Sequence, residues 1–145
     1  MKKANKLLLF AGVLSCVAAL LHIAIIIGGP QWYRFFGAGE DLASMAENGS
    51  WYPAVLTFSI AVVLLVWALY AFSGAGLIRR FPLLKIGLVV ISALYLIRGL
   101  AFIPAYIVQP KIVDEFLVWS SLICLVYGFS YAIGTKQVWE NLSVN

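Results

Sequence analysis

The sequence predicts an all-α fold: an integral membrane four-helix bundle with both termini cytoplasmic. Three observations lead to it. Of 145 residues, 63% are hydrophobic and only 11% are charged, and a soluble domain of this size has too little interior to hide that much apolar surface. Four apolar stretches take up most of the chain, and each is long enough to cross a hydrocarbon layer of about 30 Å as a helix. Most of the basic residues gather at the ends of those stretches in alternate connections, the distribution that orients membrane helices. The net charge of +4 therefore reflects orientation and not a nucleic-acid partner.

The first helix is expected at about 6–28. Met1-Lys2-Lys3 opens like a signal peptide, and Val13-Leu14-Ser15-Cys16 loosely matches a lipoprotein cleavage box. The apolar run continues to Ile27, however, too long for a cleaved segment, so it is read as a retained span. Gly12, Ser15, Ala19 and His22 recur at spacings of three and four and form one small-residue face. Residues 29–52 form an extracytoplasmic loop, rich in aromatics suited to the headgroup level. Within it Glu40 to Glu47 predicts a short helix stopped at Asn48-Gly49. Asn48-Gly49-Ser50 matches a glycosylation acceptor, which has meaning only in a eukaryotic secretory setting.

The second helix is expected at about 53–73, with Pro53 in its first turn where the missing N–H is harmless. Ser73-Gly74-Ala75-Gly76 ends it, and Arg79, Arg80 and Lys85 follow. The third, at about 83–106, aligns Ser92, Tyr95, Gly99, Phe102 and Tyr106 on one face with Arg98 at its edge. Pro104 is expected to bend its last turns and to free the Leu100 carbonyl. The fourth, at about 116–134, follows Asp114-Glu115, acids well placed at a helix start. Ser121, Cys124, Gly128 and Tyr131 form its small or polar face.

Lys2, Lys3 and Lys6 flank the first helix, and Arg79, Arg80 and Lys85 lie between the second and third. The other two connections carry more acid than base, so both termini and the 73–83 loop are assigned to the cytoplasm. Depth follows from orientation. At 1.5 Å per residue, His22 sits about 9 Å below the outer end of its helix and Arg98 about 12 Å below Tyr106. Thr57, Ser120 and Ser121 fall in the same outer third. The sequence thus brings His22, Thr57, Tyr95, Arg98, Ser120 and Ser121 to one level, beneath an acidic loop.

Arg98 drives the functional reading. A charge at that depth costs roughly 3 kcal/mol or more, so it faces a partner, water or a ligand and not lipid. One arrangement is a structural ion pair with Glu40, Asp41, Glu47 or Asp114; another is snorkelling to the outer interface. The third is a pocket that binds an anionic or polar head group. An enzymatic version uses His22 as general base and Arg98 to steady developing negative charge, but no substrate or reaction is fixed.

Other chemistries find little support. Cys16 and Cys124 form no CxxC pair and read as small buried hydrophobes. His22 is the single histidine, which excludes bis-histidine haem ligation, and no carboxylate lies within a span to complete a metal site. No cofactor and no metal are expected.

Leu20-Leu21-His22 leading to Gly28-Gly29, Tyr95-Leu96-Ile97-Arg98-Gly99-Leu100, and Val113-Asp114 before Leu117-Val118-Trp119-Ser120-Ser121-Leu122-Ile123-Cys124-Leu125 form a scattered pattern. It resembles a bacterial family of small four-helix integral membrane proteins of unknown function. Ser121 stands where that family has a proline, and the first loop is longer. The resemblance implies a multi-pass protein of the bacterial inner (plasma) membrane and singles out His22, Arg98, Asp114 and Ser120. It implies no activity. Three functions remain in view: a protein that binds a lipid or small polar or anionic molecule, an accessory or assembly protein that packs against itself or another membrane protein, and a small exporter working as an oligomer.

Overall fold

In a computed structural model the chain is all-helical, with 82% of residues in helices. The structure describes residues 4–113 and 115–143. Among the described residues eight α-helices follow in order: α1 Lys6–Gly28, α2 Pro30–Phe35, α3 Glu40–Glu47, α4 Tyr52–Gly74, α5 Leu84–Leu100, α6 Phe102–Val108, α7 Glu115–Gln137 and α8 Trp139–Ser143. A 3-10 turn at Pro110–Ile112 precedes α7. Four helical segments among the described residues are long and apolar enough to cross a membrane: Lys6–Gly28, Tyr52–Gly74, Leu84–Val108 and Glu115–Gln137.

Several boundaries differ from those expected. The loop at 29–52 contains α2 as well as α3; Pro30 at its first position needs no N–H partner. The third span divides at Ala101, where the main-chain N–H still bonds to Ile97 but the run of α5 ends. Pro104 supplies no N–H for the Leu100 carbonyl, which accounts for a break there. The fourth span continues past 134 to Gln137, because Gly134 is used for packing: a Cβ on it would lie 2.8 Å from Leu8 Cγ and 3.1 Å from the Leu8 nitrogen. The tail forms α8.

The chain divides into two compact units, residues 1–15 with 67–145, and residues 16–66. In the first, α5 and α7 lie backbone to backbone. A Cβ on Gly99 would come within 3.0 Å of the Leu125 nitrogen, and one on Gly128 within 3.0 Å of the Leu96 nitrogen. The start of α1 is tied into this unit by Asn5. Its Oδ1 caps the helix by accepting from the Leu8 N–H at 2.9 Å. Its Nδ2 donates to Gln137 at 2.8 Å and its main-chain N–H to Ala75 at 3.0 Å. Ser73 closes the turn after α4 by donating to the Arg79 carbonyl and accepting from the Phe81 N–H.

The second unit contains the rest of α1, then α2, α3 and most of α4. Ile25, Tyr33 and Ala43 form its core, with Phe36 and Ala46 packed against it. Gly29 turns the chain from α1 into α2 at φ 68, a conformation that favours glycine.

Candidate functional site

The first unit holds most of the polar chemistry. Arg98, near the end of α5, reaches α7: Nη1 donates to Ser121 Oγ at 3.0 Å and Nη2 to Ser120 Oγ at 3.1 Å. The Ser120 hydroxyl in turn donates to the Leu117 carbonyl at 3.1 Å. Ser121 is fully buried, whereas Arg98 is exposed. The guanidinium has more donors than these two hydroxyls occupy, and both partners are neutral. Its positive charge is thus hydrogen-bonded without being balanced by them.

One turn before Arg98, Tyr95 belongs to a buried hydroxyl relay. Tyr131 donates to the Trp67 carbonyl at 3.0 Å. Its oxygen then accepts from Ser15 Oγ at 2.9 Å, and Ser15 lies 3.5 Å from the Tyr95 hydroxyl. Tyr127 donates to the Leu14 carbonyl at 2.8 Å. Ring contacts fill the space between: Tyr95 meets Trp67 edge-on at 4.9 Å and Tyr127 at 5.0 Å between centroids. These bonds link α1, α4, α5 and α7 through aromatic side chains whose hydroxyls all find partners, as buried polar groups must.

Of the expected site residues, Arg98, Ser120 and Ser121 are brought together, with Tyr95 a turn away on the same helix. His22 and Thr57 belong to the second unit. His22 Nδ1 lies 2.7 Å from the Ala18 carbonyl, so that nitrogen carries the proton and the ring is oriented by its own helix. Thr57 is buried on α4. Among the described residues no three His, Cys, Asp or Glu side chains cluster as a metal site.

Two of the acids considered as partners for Arg98 are paired with another cation. Glu40 and Glu47 both close on Arg34: Nη2 lies 2.8 Å from Glu40 Oε1 and 2.7 Å from Glu47 Oε2. The Arg34 Nε also donates to Glu40, and Ser44 donates to the same carboxylate at 3.1 Å. Asp41 is exposed in the first turn of α3, and Asp114 lies outside the described residues. The sequence held a signal for this clasp. Glu40, Ser44 and Glu47 share one helical face, and Arg34 is the one cation of that loop.

The Arg34 guanidinium, with help from the Ser44 hydroxyl, holds the Glu40 carboxyl below the usual glutamate range. A group whose folded pKa is depressed stabilises the folded state above its unfolded pKa and stops doing so as pH falls through the folded value. The clasp joining α2 to α3 is therefore expected to be intact at neutral pH and to open in acid. An NMR titration of the Glu40 side chain in detergent checks it. The midpoint should lie below that of a free glutamate and rise in Arg34→Gln; an unchanged midpoint in that variant would show that the clasp does not form.

Compared with family models, curated proteins and solved structures, the chain has no match.

Proposed function

We propose that this chain is a multi-pass membrane protein that binds a small anionic or polar head group at Arg98. The observation that carries it is the neutral cradle: a guanidinium within an apolar span, held at 3.0 and 3.1 Å by two serine hydroxyls. The partners it has among the described residues are neutral, and a charge so held in an apolar span is unfavourable unless water or a ligand completes it. The planar fork suits a carboxylate or phosphate, which accept two parallel N–H bonds. Ser120 and Ser121 fix the fork, and the tyrosine relay below keeps α5 and α7 in register.

The wider setting is proposed with it. The basic residues around the first helix and between α4 and α5 support cytoplasmic termini. That places Arg98 toward the outer leaflet of a bacterial inner membrane, in a protein of the small four-helix kind that the sequence resembles. No reaction is assigned.

The accessory reading relied on small-residue faces free to meet a partner. Gly12 beside Phe72, Gly99 beside Leu125, Gly128 beside Leu96 and Gly134 beside Leu8 are all occupied within the chain. That favours the binding reading. Mass spectrometry of what co-purifies in mild detergent, wild type beside Arg98→Leu, tests it. A discrete anionic lipid or metabolite in the first and not in the second is the expected result. Bulk phospholipid alone in both samples would leave Arg98 a structural residue.

A further inference from the structure

A cavity of about 700 Å³ lies in the first unit between α5, the last turns of α7 and α8. Val89 and Ala132 give it an apolar wall, while Thr135, Lys136, Glu140 and Asn141 give it a polar one. Thr135 is only 3% exposed, and its hydroxyl has no partner among the described residues. Its neighbours show what is unusual: Ser92 and Ser130 each donate to the carbonyl four residues back, at 2.7 Å. A buried hydroxyl without a partner costs free energy, and Thr135 is one of the residues that line this space.

One cation lines the cavity and two more stand against residues of its wall. Lys136 lines it, Lys85 Nζ stands 3.7 Å from the centre of the Trp139 ring, and Arg80 donates to the carbonyls of Asn141 and Leu142. The lining itself holds one cation, Lys136, and one acid, Glu140. Trp139, also part of the wall, is the aromatic type found at membrane interfaces.

We propose that this cavity binds the head group of an anionic phospholipid, a site separate from Arg98. The phosphodiester accepts from the Thr135 hydroxyl and is drawn by Lys136, while the start of an acyl chain lies along Val89 and Ala132. The mixture of an apolar wall with a hydroxyl donor and a cation suits an amphiphile better than a free ion, which would leave the apolar wall uncovered. On the orientation proposed above, the site opens at the cytoplasmic face, where anionic lipids attract basic residues.

Native mass spectrometry of the delipidated full chain tests this, with phosphatidylglycerol, phosphatidylcholine or inorganic phosphate added in turn. One phosphatidylglycerol adduct is expected to survive activation where phosphatidylcholine does not. Lys136→Gln, at an exposed position, should weaken it about fivefold, as removal of one interfacial cation does. Val89→Trp, which fills the cavity from an exposed wall position, should abolish it. Arg98→Leu should leave it unchanged, so failure of the Arg98 reading does not touch this one. Equal retention of phosphatidylcholine, or binding unaltered in both Lys136→Gln and Val89→Trp, would overturn the proposal. Inorganic phosphate that binds alone and displaces the lipid would also overturn it, in favour of a free anion.

Discussion

Gly128→Leu is expected to yield no folded protein, and Gly128→Ala to lower stability by about 1–3 kcal/mol, the usual cost of overpacking. The reason is which atoms stand in the way. A Cβ at Gly128 would lie 2.8 Å from the Leu96 side chain and 3.0 Å from the Leu96 main-chain nitrogen. Gly99 meets Leu125 in the same manner at 2.7 and 3.0 Å. A side chain can rotate aside, but two helix backbones in contact can only move apart. For helices in lipid, close approach at small residues is the main source of association, since leaving lipid brings no hydrophobic gain. Gly74→Ala provides the comparison. There the nearest atoms are Leu88 Cδ1 at 2.7 Å and Leu8 Cδ1 at 3.0 Å, the ends of flexible side chains. Alanine is about 1 kcal/mol better than glycine in a helix, which offsets much of the milder clash at Gly74. Thermal unfolding in detergent by circular dichroism should rank Gly128→Ala well below Gly74→Ala. Equal melting would mean that the α5–α7 spacing is not set by backbone contact.

The sequence made some of this legible, for reasons visible in particular residues. Helices α1 and α4 end where Gly28-Gly29-Pro30 and Ser73-Gly74 interrupt continuous apolar runs, because local backbone chemistry decides those boundaries. The helix at Glu40–Glu47 was likewise readable from its acidic start and Asn-Gly stop. Pro104 correctly marked trouble for the Leu100 carbonyl, but propensity does not say whether a helix bends or breaks, and here α5 gives way to α6 at Ala101. Partner choice was harder. An acid is only one of the three settings that the sequence leaves open for Arg98. Glu40 and Glu47 close on Arg34, six and thirteen residues away in sequence, because a short loop brings those groups together with little entropy loss. Ser120 and Ser121 are candidates from the sequence, yet periodicity alone does not show that they, as neutral groups, hold the guanidinium. The hydroxyl relay was not legible at all. It depends on the register of α1 against α5 and α7, which no single helix encodes.

That relay leads to the second large effect. Tyr131→Ala is expected to cost about 3–5 kcal/mol, the range for truncating a large buried aromatic. Tyr131→Phe should cost nearer 1 kcal/mol, the scale of interhelical hydrogen bonds in membrane proteins. Tyr131 is fully buried, its ring stacks on Tyr95 at 5.7 Å, and its hydroxyl joins Ser15 to the Trp67 carbonyl. Packing therefore outweighs hydrogen bonding in what the residue contributes to stability. The hydroxyl's work is of another kind: it accepts from α1 while donating to α4, and so selects one rotation of those helices about the α5–α7 pair. A cycle with Ser15→Ala separates the two contributions. If Ser15 and Tyr131 act through their shared bond, Ser15→Ala combined with Tyr131→Phe should cost less than the two single changes added together. Should Tyr131→Phe destabilise as much as Tyr131→Ala, the balance is reversed, and the polar relay rather than the aromatic packing holds α1 and α4 in place.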